Sequence, residues 1–504
     1  MSAPGRLLAL PLDARPVVRE QVVQLVAAAG WELVVPPVPM LGHLRQGADR
    51  EALSRWITQQ APGVSGFVLS LDMLLYGGLV PSRFIEDDEP ALAARLEALR
   101  ALRAAHPGKP LYAFASTMRI SRSLDAEEEK PYWAEHGLAL WAWSYHQDRH
   151  ACLGEPADVQ ATREAAAAIP PAIQADYLAT RARNHALTRR MLRLVHEGVI
   201  DRLVLPQDDT AEFGFNIAER RALQAEVHTL GLQDRVPIYP GADEVLHTAC
   251  AHAVQRLSRQ APLRVALSAM RPSALSALVP RYEDRPLADS VRSQIGAAGA
   301  QLVDDATQAD IVLALYTQGT AQGDWAIQQP LPAREPVDPA WRAELAGHQQ
   351  AGRVVAVADL AYANGADPWF VHALAQVIPL RSLAAYAGWN TAGNTLGCAL
   401  AQALLAHGRI DTDAHRHNLA LRLAEDLMWQ AQLRQVVRLG GLGGLGGVSG
   451  LAPAPGALAD HVQRLFVPQA NAWLAPWQLG WRVRRSHLPW DRTFEIGLEL
   501  ERSS

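Results

Sequence analysis

Short runs of Leu, Val, Ile and Ala recur along the chain. Each is closed by a polar or glycine-bearing turn and followed by a stretch whose apolar residues return every three to four positions. The first kind of run reads as a buried strand, the second as an amphipathic helix laid against it. In the first half the pattern predicts strands over Leu7–Leu12, Glu32–Val35, Gly66–Leu71, Pro110–Ala115, Arg202–Pro206 and Val236–Tyr239. Helices are predicted over Val17–Ala29, Arg50–Gln60, Ala91–Ala105, Ile217–Thr229 and Glu244–Ser258. After the polar stretch Arg259-Gln260-Ala261-Pro262 the rhythm restarts. Strands follow over Arg264–Ala269, Ala300–Val303, Ile311–Tyr316, Arg353–Val357 and Leu383–Ala387, with a closing helix over Thr395–Ala406.

Strands alternating with helices specify an α/β fold with parallel sheet covered on both faces. Two architectures satisfy the pattern: a (β/α) barrel-like N-terminal unit followed by a smaller doubly wound unit, or two doubly wound units in tandem. The strands outnumber those of one eight-stranded barrel, which favours more than one unit. The expected division is an α/β domain over 1–260 with a helical insertion over 123–197, a second α/β domain over 261–408, and a helical, glycine-rich and tryptophan-rich C-terminal region over 409–504. The insertion carries EEEK at Glu127–Lys130 and Ala/Arg-rich helical periodicity; it is either a lid or surface elaboration.

Composition narrows the class. The chain has 504 residues, 49% hydrophobic and 20% charged, with Lys+Arg 47 against Asp+Glu 52 and a formal net charge of −5. This is an ordinary globular balance, and it lacks the basic field of a dedicated nucleic-acid binder. Cys152, Cys250 and Cys398 form no CxxC pair, so neither a zinc knuckle nor a disulfide framework is encoded. The N-terminal apolar run is too short for a secretory signal, and no stretch approaches the roughly 18 uninterrupted apolar residues of a membrane span. The expectation is a cytoplasmic protein with a small-molecule or carbohydrate ligand, no nucleic-acid or membrane partner, and no cofactor. A formal GxGxxG match at Gly441, Gly443 and Gly446 follows a helical stretch, Thr412–Leu439, rather than a strand. It therefore reads as a linker and not as a dinucleotide fingerprint.

The informative residues stand where the predicted strands end. In parallel α/β folds that edge forms the ligand crevice. The loops there read PLDARP with Asp13 and Arg15, SLDMLLYGG with Asp72 and Tyr76, STMRISR with Ser116, Arg119 and Arg122, PQDDTAEFG with Asp208 and Asp209, and PGADE with Asp243 and Glu244. In the second half SAMRP supplies Arg271, ADLAYANGADP supplies Asp359, Asn364 and Asp367, and AGWNTAGNTLG supplies Trp389, Asn390 and Asn394. Helix capping accounts for single loops, with Asp243 and Asn394 well placed as caps. It does not require a paired Asp208-Asp209, nor arginines beside the acids. Adjacent carboxyls can divide labour, one ionised and one protonated, when their surroundings push their pKa values apart. Asp208, Asp209 and Glu244 are the catalytic candidates. Asp13, Arg15, Asp72, Tyr76, Arg119, Asp243, Asn364, Trp389, Asn390 and Asn394 are the binding candidates, with Trp389 offering a face on which a sugar ring could stack. The tail tryptophans Trp473, Trp477, Trp481 and Trp490 either stack on sugars or fill a core. His146 and His150 are expected to face solvent, and Cys250 and Cys398 to be buried.

The motifs PLDARP, SLDMLLYGGLVPSR, LPQDDTAEFGFN, GADE, AYANGAD and AGWNTAGNTLG, in this order, resemble the bacterial proteins grouped as domain-of-unknown-function family 4127. The resemblance runs from about Leu7 to the Trp-rich segment and brings no activity with it. LVLPQDD with the later GWN is similar, over those few residues, to substrate-assisted hexosaminidase-type glycosidases. That likeness implies that Asp208 polarises a substrate acetamido group and Asp209 acts as general acid. Such enzymes have one intact eight-stranded barrel, from which the extra strands and the insertion depart. Three expectations follow: a glycosidase acting on an amino sugar or related carbohydrate through Asp208-Asp209; an α/β enzyme using Mg²⁺ or Mn²⁺ on the strand-end carboxylates; or a binding protein that turns nothing over.

Overall fold

In a computed structural model, residues 5–259, 261–440 and 456–503 are described. They form two compact units: the first takes the described residues within 1–14, 33–246 and 282–285, the second those within 15–32, 247–281 and 286–504. The GxGxxG match lies outside the described residues.

The first unit is built on strands β1 (Arg6–Leu10), β2 (Glu32–Val34), β3 (Gly66–Ser70), β4 (Leu111–Phe114), β5 (Arg202–Gln207) and β6 (Ile238–Pro240), in the order β2-β1-β3-β4-β5-β6. The ladders β1–β3, β3–β4, β4–β5 and β5–β6 are parallel. The sheet is open, so the barrel alternative is set aside. β1, β3, β4 and β5 are buried along nearly their whole length. Leu8, Phe67, Leu69, Leu203 and Leu205 pack with Leu53 and Ile57 of the helix Arg50–Gln60 and with Leu96 and Leu99 of the helix Glu89–Ala105. Asp49 caps the first of these helices, accepting from the Glu51 and Ala52 amides at 3.0 Å. Between β4 and β5 the helices Trp133–Leu153, Pro156–Ala167 and Pro171–His196 form the expected insertion, with a small core of its own around Trp133, Leu140, Trp143 and Tyr177.

The second unit holds β7 (Arg264–Ala269), β8 (Gln301–Leu302), β9 (Ile311–Tyr316), β11 (Val354–Asp359) and β13 (Ala385–Ala387) in the order β13-β11-β9-β7-β8, all parallel. Two-residue strands β10 (Gly323–Asp324) and β12 (Tyr362–Ala363) pair beside it. An antiparallel hairpin of β14 (Trp481–His487) and β15 (Gly497–Arg502) stands in the C-terminal region, where the sequence pattern showed no strands. The closing helix begins at Ala392, and its cap is Thr391 rather than Asn394, whose backbone amide donates to Thr391 Oγ1. Residues 413–440 are helical, as the pattern required, but Leu423–Leu433 is wound as a π-helix. Trp473, Trp477 and Trp481 pack on the second core. Among the described residues no helix is long and apolar enough to cross a membrane.

Candidate functional site

Because β1 and β3–β6 are parallel and in register, the residues that follow them share one edge. Ser70 is level with Phe114, and Gln207 with Pro240. Asp13, Asp72, Ser116, Asp208, Asp209, Asp243 and Glu244 therefore gather at the carboxyl edge of the first sheet. The strand order reverses between β1 and β3, the topological switch point at which such sheets bind ligands. Asp72 lies in the short helix Leu71–Tyr76, capped by Ser70, and its buried carboxylate accepts from the Ser116 amide at 2.9 Å. Burial pushes Asp72 up to about 7. Tyr76 is buried in the same helix beneath the Arg183 guanidinium.

The centre of this edge is a lattice of acids around two guanidiniums. Arg83, 1% exposed, donates to Glu129 at 2.9 Å and to Asp208 at 3.2 Å. Arg119 donates to Glu129 at 2.9 Å and to Asp209 at 3.1 Å, and stands 3.0 Å from Glu128 and 3.9 Å from Asp208. Asp209 is held at φ +35°, a left-handed conformation that a non-glycine residue adopts only under constraint. Burial, then the neighbouring Asp208 carboxylate, push Asp209 up to about 7. Asp208 is also raised, by burial, against the pull of Arg119 and Arg83. Asp208 stands at ion-pair distance from Arg83 and Arg119, Asp209 from Arg119 alone, so the carboxylate form is better supported at Asp208. After β6, Gly241 at φ +140° lets the Glu244 carboxylate fold back onto the Ala242 amide at 2.8 Å; a Cβ there would lie 2.2 Å from Glu244 Oε1.

The second sheet has its own polar edge. Asp359 ends β11, fully buried, and accepts from the Asp367 amide at 2.7 Å and the Tyr386 hydroxyl at 2.9 Å. Burial, with Asp367 beside it, pushes it up to about 8. Asp367 accepts from the Tyr316 hydroxyl at 2.9 Å and pairs with Arg334 at 3.0 Å. Asn364, at φ +59°, donates its side-chain amide to Asp324 at 3.1 Å and its backbone amide to Asn390, which lies at φ +57°. Trp389 is fully buried, its indole donating to Glu425 at 3.2 Å and packing edge-on to Phe494. It offers no open face to a sugar.

The binding candidates thus divide. Asp13, Asp72, Tyr76, Arg119 and Asp243 belong to the first unit with Asp208, Asp209 and Glu244, whereas Arg15, Asn364, Trp389, Asn390 and Asn394 belong to the second. Arg122 stacks on Trp141, and Arg271 pairs with Glu335 at the surface. His146 is bonded to Asp158, and Cys250 and Cys398 are buried.

Sequence reasoning missed Glu128 and Glu129. Their EEEK run looks like a solvated charge run, yet Glu129 is 2% exposed between Arg83 and Arg119. It also missed Arg422, which ends the helix Asp413–Arg422, and Glu425 and Asp426 on the π-helical segment that follows; all three are buried, and Asp426 pairs with Arg422 and accepts from the Gly388 amide at 2.9 Å. Their signal was three charges in an otherwise apolar helical stretch. Among the described residues no group of three or more His, Cys, Asp or Glu is arranged to hold a metal ion.

A family described as protein of unknown function (DUF4127) matches residues 7–499. The chain belongs to that family. No curated protein matches it. The match spans both sheets of this DUF4127 chain, so both polar edges lie inside the matched residues.

Proposed function

We propose that the first unit is a hydrolase of the glycosidase type, cleaving a glycosidic bond in a neutral or N-acetylated sugar by acid–base catalysis at Asp208-Asp209. The observation that carries the reading is the unequal pair. Asp209 keeps its proton to about 7 and serves as the acid that protonates the leaving oxygen. Asp208, facing both Arg83 and Arg119, is the carboxylate that stabilises positive charge on the acetamido group as its oxygen bonds to the anomeric carbon and the glycosidic bond breaks. Water then attacks that carbon, releasing the acetamido oxygen and returning a proton to Asp209. Charge supports the substrate class. Around the two guanidiniums stand four carboxyls, Glu128, Glu129, Asp208 and Asp209, leaving no positive surplus for a phosphate. Such an edge suits hydroxyl and amide groups, which exchange hydrogen bonds without adding charge.

The test is a panel of chromogenic glycosides that includes N-acetylhexosaminides. Wild-type protein is expected to release chromophore from at least one of them. Asp209→Asn and Asp208→Asn, each folded by circular dichroism, are expected to lower kcat by about 100-fold or more. No turnover across the panel, or full activity in both variants, would sink the proposal.

A further inference from the structure

The C-terminal region of the second unit contains a group of arginines and aromatic rings that the strand-end pattern does not explain. Arg492 lies over Trp490 at 4.7 Å and over Phe494 at 5.1 Å, Arg15 lies over Trp490 at 5.2 Å, and Arg434 lies over Phe494 at 4.7 Å. Glu495, fully buried, takes Arg15 at 3.5 Å and Arg492 at 3.4 Å. Arg434 is different. It is 3% exposed, and among the described residues no carboxylate stands at ion-pair distance from it. Its Nη1 donates to the neutral amide oxygen of Gln430 at 2.8 Å, and its buried Nε has no partner. A guanidinium taken out of water without a counter-charge is among the costliest things a fold can hold. Burial, with Arg438 next to it, pulls Arg434 down to about 10.

The surroundings hold this charge in place. The Gln430 amide that accepts from Arg434 also donates to the Phe494 carbonyl at 2.8 Å, so one side chain fixes both the guanidinium and the ring beneath it. Trp490 and Asp491 both sit at positive φ, +54° and +56°, constrained in the turn that carries the rings. An unused Nε edge on a fixed planar fork matches a carboxylate, which meets a guanidinium through two parallel hydrogen bonds. One unpaired positive charge calls for a monoanion. Asp324 and Glu495 are near enough to act on Arg434 electrostatically, which weighs against a doubly charged phosphate.

We propose that Arg434, with Gln430 and Phe494 positioning it and Arg492 beside it, binds the carboxylate of a small organic acid in the second unit. The inference is independent of the reading given to Asp208-Asp209. The experiment is thermal unfolding and titration calorimetry of the full-length protein with sodium acetate, sodium lactate or sodium phosphate, at an ionic strength held constant with chloride. Acetate and lactate, both monoanions, are expected to raise the Tm saturably where chloride does not. Arg434→Met should abolish the saturable shift without lowering the Tm measured in chloride, because it removes an unpaired buried charge. Arg434→Lys, which keeps the charge and loses the fork, should weaken binding about tenfold and gives the answer should the Met variant fail to fold. Absence of saturable binding to wild type, or undiminished binding in the lysine variant, overturns the site. Phosphate binding more tightly than either carboxylate overturns the assigned ligand.

Discussion

At the residue scale, the chemistry rests on carboxyls that burial keeps protonated. Burial and the Asp208 carboxylate push Asp209 up to about 7. If it is the catalytic acid, kcat on a cleaved glycoside should fall as pH rises through about 7, and Asp209→Asn should remove that limb together with the activity. Asp359 offers a stability test free of any assumed substrate. Its ordinary value is 3.8, and the fold raises it to about 8. Between these values the native state holds a proton that the unfolded chain has released, so stability falls as pH rises, by about 1.4 kcal/mol per pH unit for this one group. Asp359→Asn keeps an acceptor for Tyr386 and the Asp367 amide but cannot ionise. Its urea midpoint should fall less steeply than that of wild type between pH 6.5 and 8.5; parallel curves would refute the buried, protonated Asp359. Asp208, Asp209 and Asp359 were legible in the sequence because strand ends of a parallel sheet are predictable places. Glu128 and Glu129 were not, since nothing local separates acids that turn inward onto arginines from acids that face water.

At the scale of elements, apolar runs and their punctuation were read to within a few residues for the strands of both parallel sheets. Burial on both faces leaves an uninterrupted apolar signal. The helix Arg50–Gln60 was read to the residue, and in the structure Asp49 caps its start. What failed were elements whose faces are mixed. β14, WRVRRSH, buries only Val483 and Ser486 between exposed arginines and so carries no strand signature on its own. The π-helical winding of Leu423–Leu433 was illegible as well, because Leu423–Gln430 is buried on every side and leaves no stripe whose period could be read. That winding brings Glu425 to Gln21 at 2.6 Å and Asp426 to Arg422, all buried in the second unit. Asp426→Ala should therefore be costly, stranding most of the Arg422 charge while Glu425 remains 3.4 Å away. A loss of about 3 kcal/mol in denaturant unfolding is expected. A loss below about 1 kcal/mol would mean that the pair is solvated and the segment is not packed as described.

At the scale of the whole molecule, the two sheets are wound alike. Numbered within each unit, both run 2-1-3-4-5, the first adding a sixth strand at its far edge, and both collect buried acids at the edge where that winding opens a crevice. The consequence is a shared pH response. Asp72 and Asp209 in the first unit are raised to about 7, as is Glu425 in the second, and Asp359 to about 8. His185, His415 and His417 are pulled below their ordinary 6.5 by burial. Those histidines favour folding as pH climbs toward 6.5, because the unfolded chain binds the protons the native state refuses, and above that value they are neutral in both states. From 6.5 upward only the raised carboxyls among these groups still titrate, and each gives up its proton at a cost to the native state. The unfolding temperature of the full chain should accordingly drop from pH 6.5 to pH 8.5. A stability that stays level or rises over that interval would show that the acids at the two edges are ionised in the folded protein, and would remove the acid role assigned to Asp209 with them.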